Sequence, residues 1–374
     1  MKNYFSKIMS FLWKNTNEEN LNYKFVKCIA ETSKINLDFS YINAVIDGTF
    51  DVFKSVKNEY LLIFSLVENQ FKKYSLICYD LKFDQVNTKI AKAHDDRIYT
   101  IRHFFDKNKK NDLLLTSSFD KWIKIWNITN NFILVYKKKP DYENKLNTYL
   151  LSENLLYSNQ KNYLITSAYE IGSNGYNILF YDYENNQNNN NNNSINNSQD
   201  NTNFLIVYYD KDIPYITAGN LGNVKVFDFV KKDLVKEYHD SHTKINYLSV
   251  IITQKKDDNN KILIASGADG ILRIWDYNTQ NILFKLSNAN NNRWLVGMCL
   301  INEIFLFVGT YNSTIEEYNI SSNKLVKTLN RMNDENYENL NNCYLTIKNI
   351  DVNGENYLIA HTKCGFIELW TKTN

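Results

Sequence analysis

At 374 residues, with 44% hydrophobic and 14% aromatic residues, the chain has apolar surface for a large folded core, which excludes wholesale disorder. A net charge of +2 excludes a field strong enough to steer it onto nucleic acid or an anionic membrane. Cys28, Cys78, Cys299, Cys343 and Cys364 are scattered and never in Cys-x-x-Cys spacing, so neither a disulfide framework nor a zinc site is indicated. No uninterrupted apolar stretch of about 18 residues occurs, and a cytoplasmic setting, with a nuclear one as the alternative, is expected. With only 2 Pro and 11 Gly, the turns must be made by Asn and Asp, which tolerate left-handed backbone and bond their own main chain.

In chain order, Tyr4, Phe5, Ile8, Met9, Leu12 and Trp13 form a helical stripe opposite Lys2, Lys7 and Lys14. An amphipathic helix over residues 1–14 is expected, within an extension of residues 1–20. It would dock on the protein's own surface; a partner or membrane contact is the alternative. Residues 23–30 then read as a strand. From residue 41 onward one pattern recurs seven times: an apolar run, a polar turn, a second run ending in an aromatic plus a polar residue, and a third run. The markers are Tyr79-Asp80, Trp126-Asn127, Tyr181-Asp182, Phe227-Asp228, Trp275-Asp276, Tyr318-Asn319 and Trp370-Thr371. Their spacings of 47, 55, 46, 48, 43 and 52 suit one four-stranded propeller blade per repeat. The runs before the markers, such as Leu61–Phe64, Leu113–Thr116, Ile262–Ala265 and Ile304–Phe307, are continuously apolar, as strands buried on both faces require.

The fold class expected is therefore all-β: a single seven-bladed propeller over residues 21–374. Its blades lie at about 41–92, 94–139, 145–203, 204–240, 242–287, 294–330 and 343–374. Residues 185–203, with the run Asn188–Asn193, lack the apolar residues needed to pack and read as a disordered loop where an outer strand should be. The chain ends four residues after Trp370, leaving the seventh blade without an outer strand. Residues 23–31, similar to the outer strands Phe132–Tyr136 and Lys324–Leu329, are expected to complete it and remove an open edge.

Two repeats carry a more specific pattern. In the second, His94 precedes Ile98–Ile101, then Leu115-Thr116-Ser117-Ser118-Phe119-Asp120, then Ile123–Asn127. In the fifth, His242 leads to Ile264–Gly270 and on to Arg273-Ile274-Trp275-Asp276. Each Trp lies six residues after its Asp, and these repeats resemble the WD40 family. The resemblance implies a network in which Asp accepts from His, His is linked to a strand hydroxyl, and that hydroxyl meets the Trp indole. It assigns His94, Thr116, Asp120 and Trp126, and a second set of His242, Ser266, Asp269 and Trp275. Ser266 departs from the pattern by one residue. In the other blades Leu221, Asn312 and Cys364 stand where the Asp should be, so packing alone is expected to hold those blades.

The resemblance further implies one rim where outer strands lead to the next inner strand and where the turns precede each network Asp. On this chain that rim would carry Arg97, Phe119, Tyr169, Asn220, Lys244, Ala268, Trp294, Tyr311 and Lys363. Aromatic and basic residues suit a peptide-binding surface. A non-catalytic scaffold or adaptor for other proteins or peptides, without cofactor or metal, is the expected function. The alternative is an RNA- or ribosome-associated propeller, and the third reading is a hydrolase using a carboxylate pair such as Asp95-Asp96, Asp257-Asp258 or Glu316-Glu317. No nucleotide-binding loop, hydrolase elbow or metalloprotease motif occurs. The remaining histidines, His103, His239 and His361, read as structural, and the lysines at 107–110 and 137–139 as solvated turns or strand ends.

Overall fold

The structure, a computed structural model, describes residues 23–31, 50–68, 73–139, 150–170, 175–184, 194–196, 202, 204–240, 245–254, 261–287, 294–311, 314–330, 344–362 and 365–372. The helix expected at residues 1–14 lies outside them, as does most of 185–203.

The described residues form strands throughout. After β1 (Tyr23–Glu31), the first blade is β2 (Phe50–Lys54), β3 (Tyr60–Glu68), β4 (Lys73–Asp80) and β5 (Gln85–His94). The second is β6 (Ile98–Asp106), β7 (Asn111–Ser118), β8 (Ile123–Asn127) and β9 (Ile133–Lys138). The third is β10 (Leu150–Ser158), β11 (Lys161–Glu170), β12 (Gly175–Asp182) and β13 (Ser194–Asn196), and the fourth β14 (Phe204–Asp210), β15 (Ile213–Gly219), β16 (Asn223–Asp228) and β17 (Asp233–His239). The fifth is β18 (Tyr247–Gln254), β19 (Lys261–Gly267), β20 (Ile271–Asp276) and β21 (Ile282–Ser287), and the sixth β22 (Leu295–Ile301), β23 (Phe305–Thr310), β24 (Thr314–Asn319) and β25 (Lys324–Asn330). The seventh has β26 (Tyr344–Val352), β27 (Glu355–Thr362) and β28 (Phe366–Lys372), with β1 antiparallel to β28. Each blade is an antiparallel meander from inner to outer strand.

Seven apolar clusters, one between each pair of neighbouring blades, make the core continuous around the ring. This accounts for the unbroken apolar runs. Leu114 of β7 faces the first blade, whereas Leu113 and Leu115 face the third, so both sides of the strand are buried. The seam between blades seven and one is filled by Phe50, Leu62, Ile359, Ile367 and Leu369. The inner strands touch in cyclic order around the axis.

The marker dipeptides have a local cause. At Tyr79, Trp126, Phe227, Trp275 and Tyr318 the pairing with the outer strand shifts by a bulge. The following Asp or Asn then accepts main-chain N–H groups two or three residues on, as Asp228 does from Val230 and Lys231 at 2.9 Å each. Aromatic and turn residue recur together because the bulge and the turn are one device. Asn159-Gln160, Lys211-Asp212 and Asn353-Gly354 have positive φ at both positions, which is the two-residue hairpin geometry whose twist matches the strands.

The Asn-rich segment differs from the expectation of a strandless loop. Ser194–Asn196 forms β13 against β12, with Ile195 opposite Ile178 and buried among Leu205 and Phe227. An isoleucine within the Asn tract is enough to seat a three-residue strand, because the neighbouring blade offers it an apolar surface.

Candidate functional site

The end of β5, β7, the following turn and β8 bring four side chains into one chain of hydrogen bonds. His94 Nδ1 lies 2.9 Å from Asp120 Oδ2, and its Nε2 lies 2.9 Å from Thr116 Oγ1. Trp126 Nε1 donates to the same Thr116 oxygen at 2.9 Å. A carboxylate can only accept, so Nδ1 carries the proton, Thr116 donates its own to Nε2, and each member is satisfied. Asp120 also accepts from the main-chain N–H groups of Asp95 and Trp122 at 2.9 Å each. Burial opposes its ionisation, but the His94 bond and these two N–H groups prevail and hold the carboxyl at about 2. Burial also holds the imidazole below its ordinary value, against the pull of Asp120.

The fifth blade is arranged differently. His242 lies outside the described residues. Ser266 Oγ donates to Val296 O at 3.3 Å, and Trp275 Nε1 to His239 O at 3.4 Å. The buried polar centre is Arg273 in β20. Its Nε meets Asp240 Oδ2 at 2.7 Å, and its two terminal nitrogens meet Asp269 at 2.6 and 3.0 Å. Lys285 adds a bond to Asp240 Oδ1 at 2.6 Å, and the guanidinium lies over the Tyr247 ring. Asp269 thus serves an arginine, and Ser266, one position out of register, turns to the sixth blade. The signal was in the sequence: an Arg between Leu272 and Ile274, in a strand apolar on both sides, requires carboxylates close by.

On the rim, one backbone contact recurs in three blades. Phe119 N donates to Arg97 O at 3.0 Å, Ala268 N to Asn246 O at 2.9 Å and Tyr311 N to Trp294 O at 3.1 Å. Each bond sets the entry to an inner strand beside the turn between the second and third strands. Arg97 and Phe119 are therefore neighbours, as are Trp294 and Tyr311, whose rings meet edge-on at 6.2 Å. Trp294, Tyr311 and Ala268 are partly buried over Leu248, Val296 and Leu345, which come from the inner strands of blades five to seven. Phe119 is 43% exposed and rests edge-on against Tyr99 at 5.3 Å.

Asn220 does not line the rim. It is fully buried, its side-chain amide donating to Asn223 Oδ1 at 2.9 Å and its main-chain N–H to Asn223 O, so it holds its own turn closed. Lys244 and Lys363 lie outside the described residues, and the residue matching Arg97 and Trp294 in the fifth blade is Asn246. Tyr169 pairs with Tyr176 between β11 and β12.

The other titratable groups are built into the sheets. His361 is buried and its pKa is lowered to about 3 by that burial. His103 Nε2 bonds Asp112 at 2.8 Å and its ring stacks on Phe53. Asp95 pairs with Lys73 at the surface, while buried Glu316 accepts from the Tyr318 hydroxyl; Asp257 and Asp258 lie outside the described residues. Among the described residues no cluster of His, Cys, Asp or Glu is arranged to hold a metal.

The family model described as "WD domain, G-beta repeat" matches residues 85–127 and 234–276, which run from the outer strand of one blade through the third strand of the next. No curated protein matches the chain. Among solved structures, Chaetomium thermophilum Raptor has a similar fold, with a TM-score of 0.63 at 13% identity over 94% of this chain and 30% of that one. The chain thus spans less than a third of Raptor's length, and the likeness is one of fold. Two matched repeats within a ring of seven four-stranded blades are consistent with a WD40-repeat family.

Proposed function

We propose that the chain is a non-catalytic scaffold that binds a protein segment on the rim formed by Arg97, Phe119, Trp294 and Tyr311. The observation that carries this reading is the recurrence of the same strand-entry contact in two blades, which sets Arg97 beside Phe119 and Trp294 beside Tyr311 on one rim, the latter pair over an apolar floor of Leu248, Val296 and Leu345 and Phe119 exposed against Tyr99. Large aromatic side chains beside an arginine supply most of the binding energy where proteins meet, because they bury much area at little entropy cost. Phe119, Trp294 and Tyr311 are the anchors, and Arg97 orients the bound segment. In the same reading His94, Thr116, Asp120 and Trp126 hold the Phe119 turn rigid, and Arg273 with its carboxylates does so in the fifth blade.

We further infer that β1 closes the ring. Support comes from its antiparallel register with β28, Tyr23 opposite Lys372 and Glu31 opposite Phe366, and from Tyr23, which packs edge-on against Phe307 of the sixth blade.

The test of the binding reading is to combine Phe119→Ala, Trp294→Ala and Tyr311→Ala in tagged protein and compare the proteins that co-purify. Most specific partners should be lost while circular dichroism stays that of a folded β protein. An unchanged partner set in a folded variant would remove the rim from consideration.

A further inference from the structure

The strand ends opposite the rim carry exposed apolar residues of their own. Val56, Phe105, Tyr209 and Ile213 are 44%, 41%, 41% and 42% exposed, and all four flank turns that lead from an inner strand to the second strand of a blade. They belong to one arc. The Val56 N–H donates to Asp112 Oδ2 at 2.8 Å, and Phe105 pairs with Asp112 between β6 and β7, so the Phe105 ring stands on the side of its strand that faces Val56. From there the surface continues through Lys107, whose ammonium lies 5.7 Å from the Tyr157 ring centroid and 5.6 Å from that of Tyr209. The two tyrosines are joined directly, the Tyr157 N–H donating to the Tyr209 hydroxyl at 2.8 Å. The stem of Lys107 thus fills the step between blades two and four, and the arc runs over blades one to four.

The chain itself arrives on this face. Tyr23 pairs with Lys372, the last residue of β28, so β1 begins at the end of the strands opposite the rim and residues 1–22 join it there. Residues 15–22 span up to about 26 Å when extended. Three strand spacings of about 4.8 Å separate β1 from β26. At the inner edge β26 meets β2 of the first blade, Lys348 Nζ lying 2.6 Å from Asp51 Oδ1. The reach therefore brings residue 14 to the start of the arc. A helix of residues 1–14 is about 21 Å long, and its apolar stripe at residues 4–13 lies opposite its three lysines. Laid on the arc, the stripe covers the exposed rings and aliphatic groups while the lysines stay in water. A tether this short holds the segment at an effective concentration on the order of millimolar, which favours it over a free partner for the same surface.

We propose that residues 1–14 dock as an amphipathic helix on the face opposite the rim, over Val56, Phe105, Lys107, Tyr157, Tyr209 and Ile213. The proposal rests on the reading that β1 closes the ring, which fixes where the segment starts. Docked there, the helix occupies one end of the ring and leaves the rim as the open end.

Two measurements on the full chain test this. Hydrogen–deuterium exchange is compared with residues 21–374 and with the variant Ile8→Asp, Leu12→Asp, both of which keep β1. Exchange at residues 55–58, 104–110, 157–160 and 209–213 should be about tenfold faster in both, while residues 118–120, 294–296 and 366–372 exchange as in the parent and so report an intact fold. With benzoylphenylalanine in place of Trp13, irradiation should join that position to residues 104–112, 155–160 or 209–214 of the same chain. Equal exchange in all three proteins would overturn the docking, as would crosslinks to the rim, to a second chain or to a co-purifying protein. Free exchange of residues 366–372 in the full chain would instead mark failure of the closure by β1, and the docking would fall with it.

Discussion

At the residue scale, the two buried polar centres make opposite demands. Asp120→Ala removes the acceptor of a buried imidazole and should cost about 1–3 kcal/mol, read as a lower urea midpoint at neutral pH. The pH dependence has a defined sign. The folded-state pKa of Asp120 is depressed to about 2, so its contribution is present above the unfolded value of about 3.9 and is lost as pH falls towards 2. The His94 pKa is depressed by burial, so the unfolded chain takes up its proton first and stability also declines as pH falls below about 6.5. The gap between parent and Asp120→Ala should therefore be narrower at pH 3 than at pH 6; an equal gap would assign the loss to packing. In the fifth blade, Arg273→Ala leaves buried Asp240 with Lys285 as its remaining charged partner and should cost about 2–3 kcal/mol, whereas Ser266→Ala should cost about 1 kcal/mol. The reverse order in equilibrium unfolding would return the fifth blade to a serine-centred network.

These residues also mark how far the sequence could be read. The His94 set was legible because its spacing is strict and all four residues are present. The Arg273 set was legible only as a need for carboxylates near a buried arginine; its partners Asp240 and Asp269 come from different strand ends, and the resemblance drew attention to the serine. Asn220 was misplaced because an Asn in a turn is compatible both with an open loop and with a side chain folded back on its own backbone; burial alone separates the two.

At the scale of elements, the apolar runs and markers located the strands because burial between two neighbours leaves a continuous signature. The short β13 had no such run, only Ile195, and its position depended on the apolar surface of the next blade. The strand with most consequence is β1. Removing residues 1–31 would strip β28 of its ladder to β1 and take away Tyr23 and Ile29, which pack on the two flanks of the seventh blade. Roughly four to six hydrogen bonds at about 1 kcal/mol each, with buried Tyr23 and partly buried Ile29 at up to about 3 kcal/mol each, approach the whole stability of a typical domain. Residues 32–374 should aggregate, whereas residues 21–374 should be soluble and unfold cooperatively. A soluble and cooperative 32–374 fragment would mean that the seam of Phe50, Leu62, Ile359 and Leu369 closes the ring unaided.

At the scale of the whole molecule, the ring presents its aromatic rim on a frame held from blade to blade. The rim offers aromatic anchors over an apolar floor. The seven interblade clusters fix it, so binding there needs no rearrangement of the fold and should appear as local protection. Hydrogen–deuterium exchange of the full chain, alone and with its co-purified partner, tests the central claim most directly. The account predicts slowed exchange at residues 97–99, 118–120, 294–296 and 310–311, the segments that form the rim. Protection confined to the turns at the opposite end of the strands, such as 107–110 and 211–212, with the rim unchanged, would contradict it.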